Sequence, residues 1–182
     1  NTVAVDTNIP RDESGNITNS NYGDNSQLMI KDGVLYIFVI GNKVYSIPLS
    51  EIENGAKPVE ATNLPFDEVT SGVGRTDVLK GAYWSDPVGK FAVIDKRNTL
   101  FILNEDGTSS VDPIKLNSYS GMKVTSVTGD DKYIYVAFSK NNQTDVPFDI
   151  YTWDGTFVGS GAPEGIHLRQ NVGVTEDGDP VH

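Results

Sequence analysis

The sequence contains no cysteine and only two histidines among its 182 residues. The absence of cysteine excludes disulfide cross-links, thiolate nucleophiles and cysteine-ligated zinc. Cationic side chains are also scarce, since 14 Lys and Arg face 25 Asp and Glu and leave a net charge of −11 at pH 7. A surface this acidic repels phosphate groups, so we expect neither nucleic-acid binding nor attachment to anionic lipid.

Long hydrophobic runs are missing as well. The longest one, residues 34–40, is far too short to cross a bilayer as a helix, so we expect no membrane insertion. No basic and then apolar leader opens the sequence at Asn1. We therefore expect that any signal peptide has been removed or never existed.

Valine and isoleucine supply most of the apolar side chains. The sequence has 33 of them against 16 Leu and Ala. Side chains branched at Cβ pack well on a pleated sheet, whereas Leu and Ala are the usual residues of helical faces. The composition therefore predicts an all-β domain, with one short helical pattern at residues 49–56.

The clearest local pattern is a β-hairpin. Residues 34–40 and 43–47 read as strands, and Gly41 and Asn42 between them tolerate the positive φ of a two-residue turn. Another strand is predicted just upstream, from residue 27. Residues 1–26 are polar and are predicted to form an N-terminal arm.

The same order of strands and turns then recurs. Further strands are predicted at residues 81–86, 90–94, 99–103 and 111–116, and again at 123–128, 132–138, 148–153 and 156–159. A fourth copy begins near residue 170 and stops at His182. The equivalent first-turn residues are spaced by 56, 42 and 47 positions, namely Gly33, Gly89, Asp131 and Gly178.

Four short strands repeated every 40 to 50 residues or so are typical of propeller blades. On this rhythm, as in KDGVLY at residues 31–36 and DKYIYV at residues 131–136, the sequence resembles the β-propeller superfamily over residues 27–182. The resemblance implies about three blades and the start of a fourth. A blade cannot bury both faces alone, so we expect a piece of a longer protein or a ring closed by other chains. A β-sandwich or β-meander, which needs no partner, is the alternative.

Candidate catalytic groups are few. A Ser-His-Asp arrangement would depend on His167, because the other histidine is the last residue, and no Gly-x-Ser-x-Gly elbow is present. The glycine-rich residues 71–76 lack the spacing of a phosphate-binding loop. We therefore predict no catalytic residue and favour a protein that is not an enzyme.

Tyr83 and Trp84 are the predicted binding residues, because flat apolar rings beside the Asp86-Pro87 turn suit the faces of a sugar. Other aromatic residues are candidates for the same stacking platform, namely Tyr119, Phe148, Tyr151 and Trp153. Packing inside the fold is the alternative role for all of them.

Acidic residues cluster around a glycine turn at residues 12–16, 104–107 and 176–179. Their oxygen atoms are the ligands that calcium prefers, although none of the three has the spacing of an EF-hand. We predict no cofactor, with calcium as the one ion that these turns suit and ordinary turn hydrogen bonding as the alternative.

These features favour a non-catalytic binding module of an extracellular protein, or of a protein at a cell or virion surface, that recognises a protein or a glycan. One alternative is a structural component of a larger assembly, such as a viral tail or a surface layer. The other is a propeller-type glycosidase or lyase, in which carboxylates or His167 would converge on the central axis.

Overall fold

The computed structural model describes residues 26–39, 43–62, 64–70, 79–139 and 148–161. These residues form three antiparallel sheets of four strands, and each sheet uses four strands that are consecutive in the chain. The prediction of an all-β protein with propeller-like repeats is therefore confirmed. Residues 1–25 of the predicted N-terminal arm and the predicted start of a fourth copy lie outside the described residues, while Ser26, the last residue of that arm, begins β1.

We call the sheets blades 1, 2 and 3. Blade 1 consists of β1 (Ser26–Lys31), β2 (Val34–Val39), β3 (Val44–Pro48) and β4 (Val59–Glu60). Blade 2 consists of β5 (Leu79–Ser85), β6 (Lys90–Asp95), β7 (Thr99–Asn104) and β8 (Ile114–Lys115). Blade 3 consists of β9 (Lys123–Gly129), β10 (Tyr133–Ser139), β11 (Phe148–Thr152) and β12 (Phe157–Gly161). Two single-turn helices flank β4, namely α1 (Leu49–Ile52) and α2 (Asp67–Thr70).

Most predicted strands are found close to their predicted bounds. The hairpin of β2 and β3 is confirmed by antiparallel pairing, although its turn at residues 40–42 is outside the described part of the chain. β8 is shorter than predicted, because Pro113 has no N–H to donate to the ladder. β4 and α2 were not predicted, since two and four residues are too few to show a period.

Blade 2 lies between the other two blades and buries both of its faces. The core that it shares with blade 1 and the segment around α2 contains Met29, Phe38, Val44, Phe66, Val69, Ala82, Trp84, Phe91, Val93, Phe101 and Leu103. The core that it shares with blade 3 contains Ala92, Ile94, Leu100, Ile102, Val124, Val127, Ile134, Val136, Phe138, Tyr151 and Trp153. Alternate residues of β6 and β7 thus serve different cores, and β6 is buried from Phe91 to Asp95 without interruption.

The first strands of the blades lie side by side, β1 against β5 and β5 against β9. One side chain joins all three, because Gln27 Nε2 donates to Ala82 O at 2.9 Å while Gln27 Oε1 accepts from Val127 N at 3.0 Å. Gly81 makes room for this amide, since a Cβ on Gly81 would overlap it. Gln27 therefore links the first strands of the three blades.

Candidate functional site

The predicted pair Tyr83 and Trp84 does not form one surface. The two residues are consecutive in β5, so their side chains point to opposite faces of blade 2. Trp84 belongs to the core with blade 1 and Tyr83 packs against the core with blade 3.

Trp84 is held by polar and aromatic neighbours on its side of blade 2. Its ring lies 4.5 Å from that of Phe91, and its Nε1 donates to Asp86 Oδ1. Lys31 Nζ lies 4.5 Å above the Trp84 ring, a cation–π contact, and also donates to Glu105 Oε1 at 2.9 Å. Trp84 is only 8% exposed. Because Lys31 belongs to β1, its contact with the Trp84 ring joins blade 1 to blade 2.

Tyr83 is half-buried where blades 2 and 3 meet. Its ring centroid is 6.3 Å from that of Trp153, whose Nε1 donates to Asp130 O at 3.0 Å. Burial raises the pKa of Tyr83, and the charges of Asp130 and Asp86 raise it further. Gly129 lets this ring approach, because a Cβ there would lie 3.0 Å from Tyr83 Cε1. Ligand binding by Tyr83 and Trp84 stays a prediction.

The other aromatic candidates are divided in the same way. Tyr119, Tyr151 and Trp153 pack in or against the core between blades 2 and 3. Phe148 lies on the opposite face of blade 3, where its ring is 6.0 Å from that of Tyr135. The six candidates therefore do not make a single stacking platform.

A buried carboxylate, that of Asp149, lies beside Tyr151. Asp149 is fully buried and accepts hydrogen bonds from Tyr119 Oη at 2.6 Å, Ser160 Oγ at 2.6 Å and Asn117 Nδ2 at 2.8 Å. These neutral donors replace the water that burial removes. Burial raises the pKa of Tyr151 to about 12, and the nearby charge of Asp149 adds to this effect. No sequence motif pointed to this network, whose members come from two separate segments.

Two Asp-Gly-Thr turns, at residues 106–108 and 154–156, occupy equivalent places between the third and fourth strands of blades 2 and 3. In each turn the Asp Oδ1 accepts the N–H of the Thr, at 3.0 and 3.1 Å, and the glycine has a φ of 86°. Hydrogen bonds from neighbouring threonines lower the pKa of both aspartates. The two Asp-Gly pairs, 48 residues apart, fall between strands where the sequence predicts turns.

Each of these turns packs on the part of the chain before it. A Cβ on Gly107 would overlap the carbonyl oxygen of Pro65, which belongs to the connection from blade 1. A Cβ on Gly155 would lie 3.1 Å from Ile114 Cδ1 of blade 2. The glycines thus permit close approach between neighbouring blades as well as the positive φ.

Calcium binding stays a prediction. At residues 104–107 the Asp106 carboxylate bonds within its own turn, and residues 12–16 and 176–179 are outside the described ranges. Among the described residues, no three His, Asp or Glu side chains are grouped so as to hold a metal ion. His167, His182 and residues 71–76 also fall outside those ranges.

The most exposed apolar side chains of the first strand lie on the face of blade 1 that is turned away from blade 2. We call this the free face of blade 1. Leu28 is 59% exposed and Ile30 is 55% exposed. The equivalent residues of blade 2 by strand register, Ala82 and Trp84, are 0% and 8% exposed. The exposed fractions differ because blade 1 covers this face of blade 2.

No helix in the described part of the chain has the length and apolar character needed to cross a membrane.

Comparisons with known proteins identify no family. No family model matches the sequence, and no curated protein does. One similar solved structure is BamB from Moraxella catarrhalis, at 11% identity over 78% of this chain and 36% of that one, with a TM-score of 0.40. Another is Kluyveromyces lactis Hsv2, at 13% identity over 75% of this chain and 46% of that one, with a TM-score of 0.41. The chain spans less than half the length of each. The description as propeller-like rests on the strand pairing alone.

Proposed function

We propose that this chain is a non-catalytic interaction module of an extracellular or surface protein, and that it binds another protein through the free face of blade 1. The observation that carries the proposal is the exposure of Leu28 and Ile30, which is 59% and 55%. Large apolar side chains that are exposed together on one face are typical of interaction sites.

The partner that fits the exposed part of this face, Leu28 and Ile30, presents an apolar surface. Leu28 pairs with Ile37 and Ile30 pairs with Leu35, in the same register in which Ala82 pairs with Val93 and Trp84 pairs with Phe91. In blade 2 this set of residues is covered by the sheet of blade 1. On the free face of blade 1, Ile37 and Leu35 are already buried at 4% and 9%, so a partner would cover the exposed Leu28 and Ile30.

Photo-crosslinking tests this function. The full chain carries a photoreactive amino acid in place of Leu28 and is irradiated on intact cells of the source organism. The control carries the same amino acid in place of Val59, which lies on β4 and is 64% exposed. We expect a protein adduct from position 28 and none from position 59. No adduct from position 28 would contradict the proposal.

The affinity of the purified pair gives the second half of the test. Leu28→Ser with Ile30→Ser weakens binding by about tenfold or more, because an apolar anchor at an interface contributes on the order of 2 kcal/mol. Val59→Ser leaves it unchanged. Equal affinity in the two variants would exclude the free face of blade 1 as the contact. An adduct with a second copy of the chain would favour a structural component of a larger assembly.

Glycan binding is a second candidate, favoured by a group of rings on blade 3. Tyr133, Tyr135 and Phe148 are half-buried there, with neighbouring ring centroids 6.4 and 6.0 Å apart, and Tyr135 donates to Asp130 Oδ2. Rings beside a carboxylate suit sugar faces and hydroxyls. Binding on a glycan array that is lost in Tyr133→Ala would support this candidate, and binding that survives the substitution would exclude this face.

A further inference from the structure

Cationic side chains gather at one end of blade 2 and the adjoining start of blade 3, although the whole chain has a net charge of −11. They lie at the start of β5, in the β6–β7 turn, at the end of β8 and at the start of β9. We call them the basic end, and its members are Lys80, Lys96, Arg97, Lys115 and Lys123. In antiparallel strands that follow one another in the sheet, all of these positions fall at the same end.

The β6–β7 turn holds the centre of the basic end in place. Asp95 is 1% exposed and accepts the N–H groups of Arg97 and Thr99, each at 2.9 Å. Its other oxygen accepts from Arg97 Nε at 2.8 Å, while the Arg97 side chain remains 69% exposed. A buried carboxylate thus fixes the turn and leaves a positioned guanidinium facing water.

The lysines crowd around this turn. Lys80 Nζ donates to Asn98 Oδ1 at 2.8 Å and to Val124 O at 3.1 Å, and Lys115 Nζ donates to the carbonyl oxygen of Arg97. Burial lowers the pKa of Lys80, and repulsion from Lys123 lowers it further, against the attraction of Asp95. Asp95 offsets part of this repulsion, and an anion bound beside the exposed Arg97 and Lys123 would offset more of it.

The opposite end of the blades has the opposite charge. The turns that join first to second and third to fourth strands contain Asp32, Asp86, Glu105, Asp106, Asp130, Asp131 and Asp154. A long polyanion such as DNA, or an anionic membrane, would extend from the basic end into the repulsive field of these carboxylates. A short anionic segment would avoid it and would be oriented by the separation of charge.

We propose that the basic end of blade 2 binds a short acidic peptide segment of a partner protein. The planar guanidinium of Arg97 offers N–H donors to one carboxylate of the peptide, and the ammonium groups of the surrounding lysines attract the neighbouring carboxylates of the peptide. This surface is separate from the free face of blade 1 and does not depend on it.

Fluorescence anisotropy with a labelled hexaglutamate peptide and the full chain tests this site. We expect saturable binding that weakens between about 50 and about 200 mM salt, and no binding of hexaglutamine. Lys123→Gln with Arg97→Gln weakens binding by about tenfold or more, because two contacting charges are lost. Lys132→Gln, which removes an exposed charge from the acidic end, leaves binding unchanged.

The controls separate a lost site from a lost fold. Lys123→Gln alone leaves the Asp95–Arg97 contact intact, so it weakens binding while the circular dichroism spectrum stays that of the parent chain. Equal weakening by Lys132→Gln, or no binding of hexaglutamate, would overturn the proposal. Tighter binding to single-stranded DNA or to phosphatidylserine vesicles than to the peptide would also overturn it.

Discussion

Blades 1 and 2 have the same strand order but bury their faces differently. Blade 2 has a neighbour on each side, and its first strand has Ala82 and Trp84 at 0% and 8% exposure. Blade 1 has blade 2 on one side, and the matching Leu28 and Ile30 are 59% and 55% exposed. Burial of these first-strand residues therefore depends on the neighbouring blade, and the exposed part of the free face of blade 1 is where we propose that a partner binds.

The largest expected effect contrasts a residue of the core with one of the free face. Phe91 is 1% exposed, and its ring centroid lies 5.2 Å from that of Phe66 and 4.5 Å from that of Trp84. Phe91→Ala lowers the free energy of unfolding by about 3–5 kcal/mol, because it leaves a cavity. Leu28→Ala costs less than about 1 kcal/mol. Urea denaturation measures both, and similar losses would contradict the difference between the blades.

A second contrast concerns the close approach of one blade to the segment before it. Gly107→Ala forces both a φ of 86° and an overlap with the Pro65 carbonyl, so we expect a loss of about 2–4 kcal/mol. Gly89→Ala forces a φ of 68° in open space and costs about 1 kcal/mol. Thermal unfolding of the two variants separates backbone strain from contact. Equal losses would mean that the contact with Pro65 contributes nothing.

The amide of Gln27 joins blade 1 to both other blades. Gln27→Met keeps the length of the side chain but removes the hydrogen bonds to Ala82 and Val127, so we expect a loss of about 1–3 kcal/mol. Backbone resonances of β9 should shift along with those of β5 in an NMR spectrum of this variant. Shifts confined to β1 would show that Gln27 does not hold the blades together.

The smallest effect appears in alkaline solution, at the boundary of blades 2 and 3. The pKa of Tyr151 is raised from 10.0 to about 12 in the folded chain, so the unfolded chain loses this proton first as the pH rises. The contribution of Tyr151 to the free energy of unfolding is complete below pH 10, and about 1–2 kcal/mol of it is lost as the pH rises towards 12. The free energy of unfolding, measured across this pH range, should decline less steeply for Tyr151→Phe than for the parent chain. An identical decline would exclude Tyr151 as its source.

The strands could be predicted because, between turn residues, their side chains either alternate in polarity or are all apolar, as in β2 and β10. The pairing of Asp149 with Tyr119 could not, because it joins a loop to a strand 30 residues away and no local pattern encodes it. The opposite directions of Tyr83 and Trp84 do follow from strand periodicity, yet which neighbour each would meet depends on the stacking of blades. The basic end was missed for the same reason, since its lysines come from four separate segments of the chain.

Amide hydrogen exchange of the full chain tests the central claim most directly. If blade 2 is covered on both sides, the amides of β6 exchange most slowly, and those of β1 exchange faster because one of its faces is open to solvent. Slower exchange in β1 than in β6, or equal rates throughout the three blades, would contradict the account of a covered middle blade and a free first one.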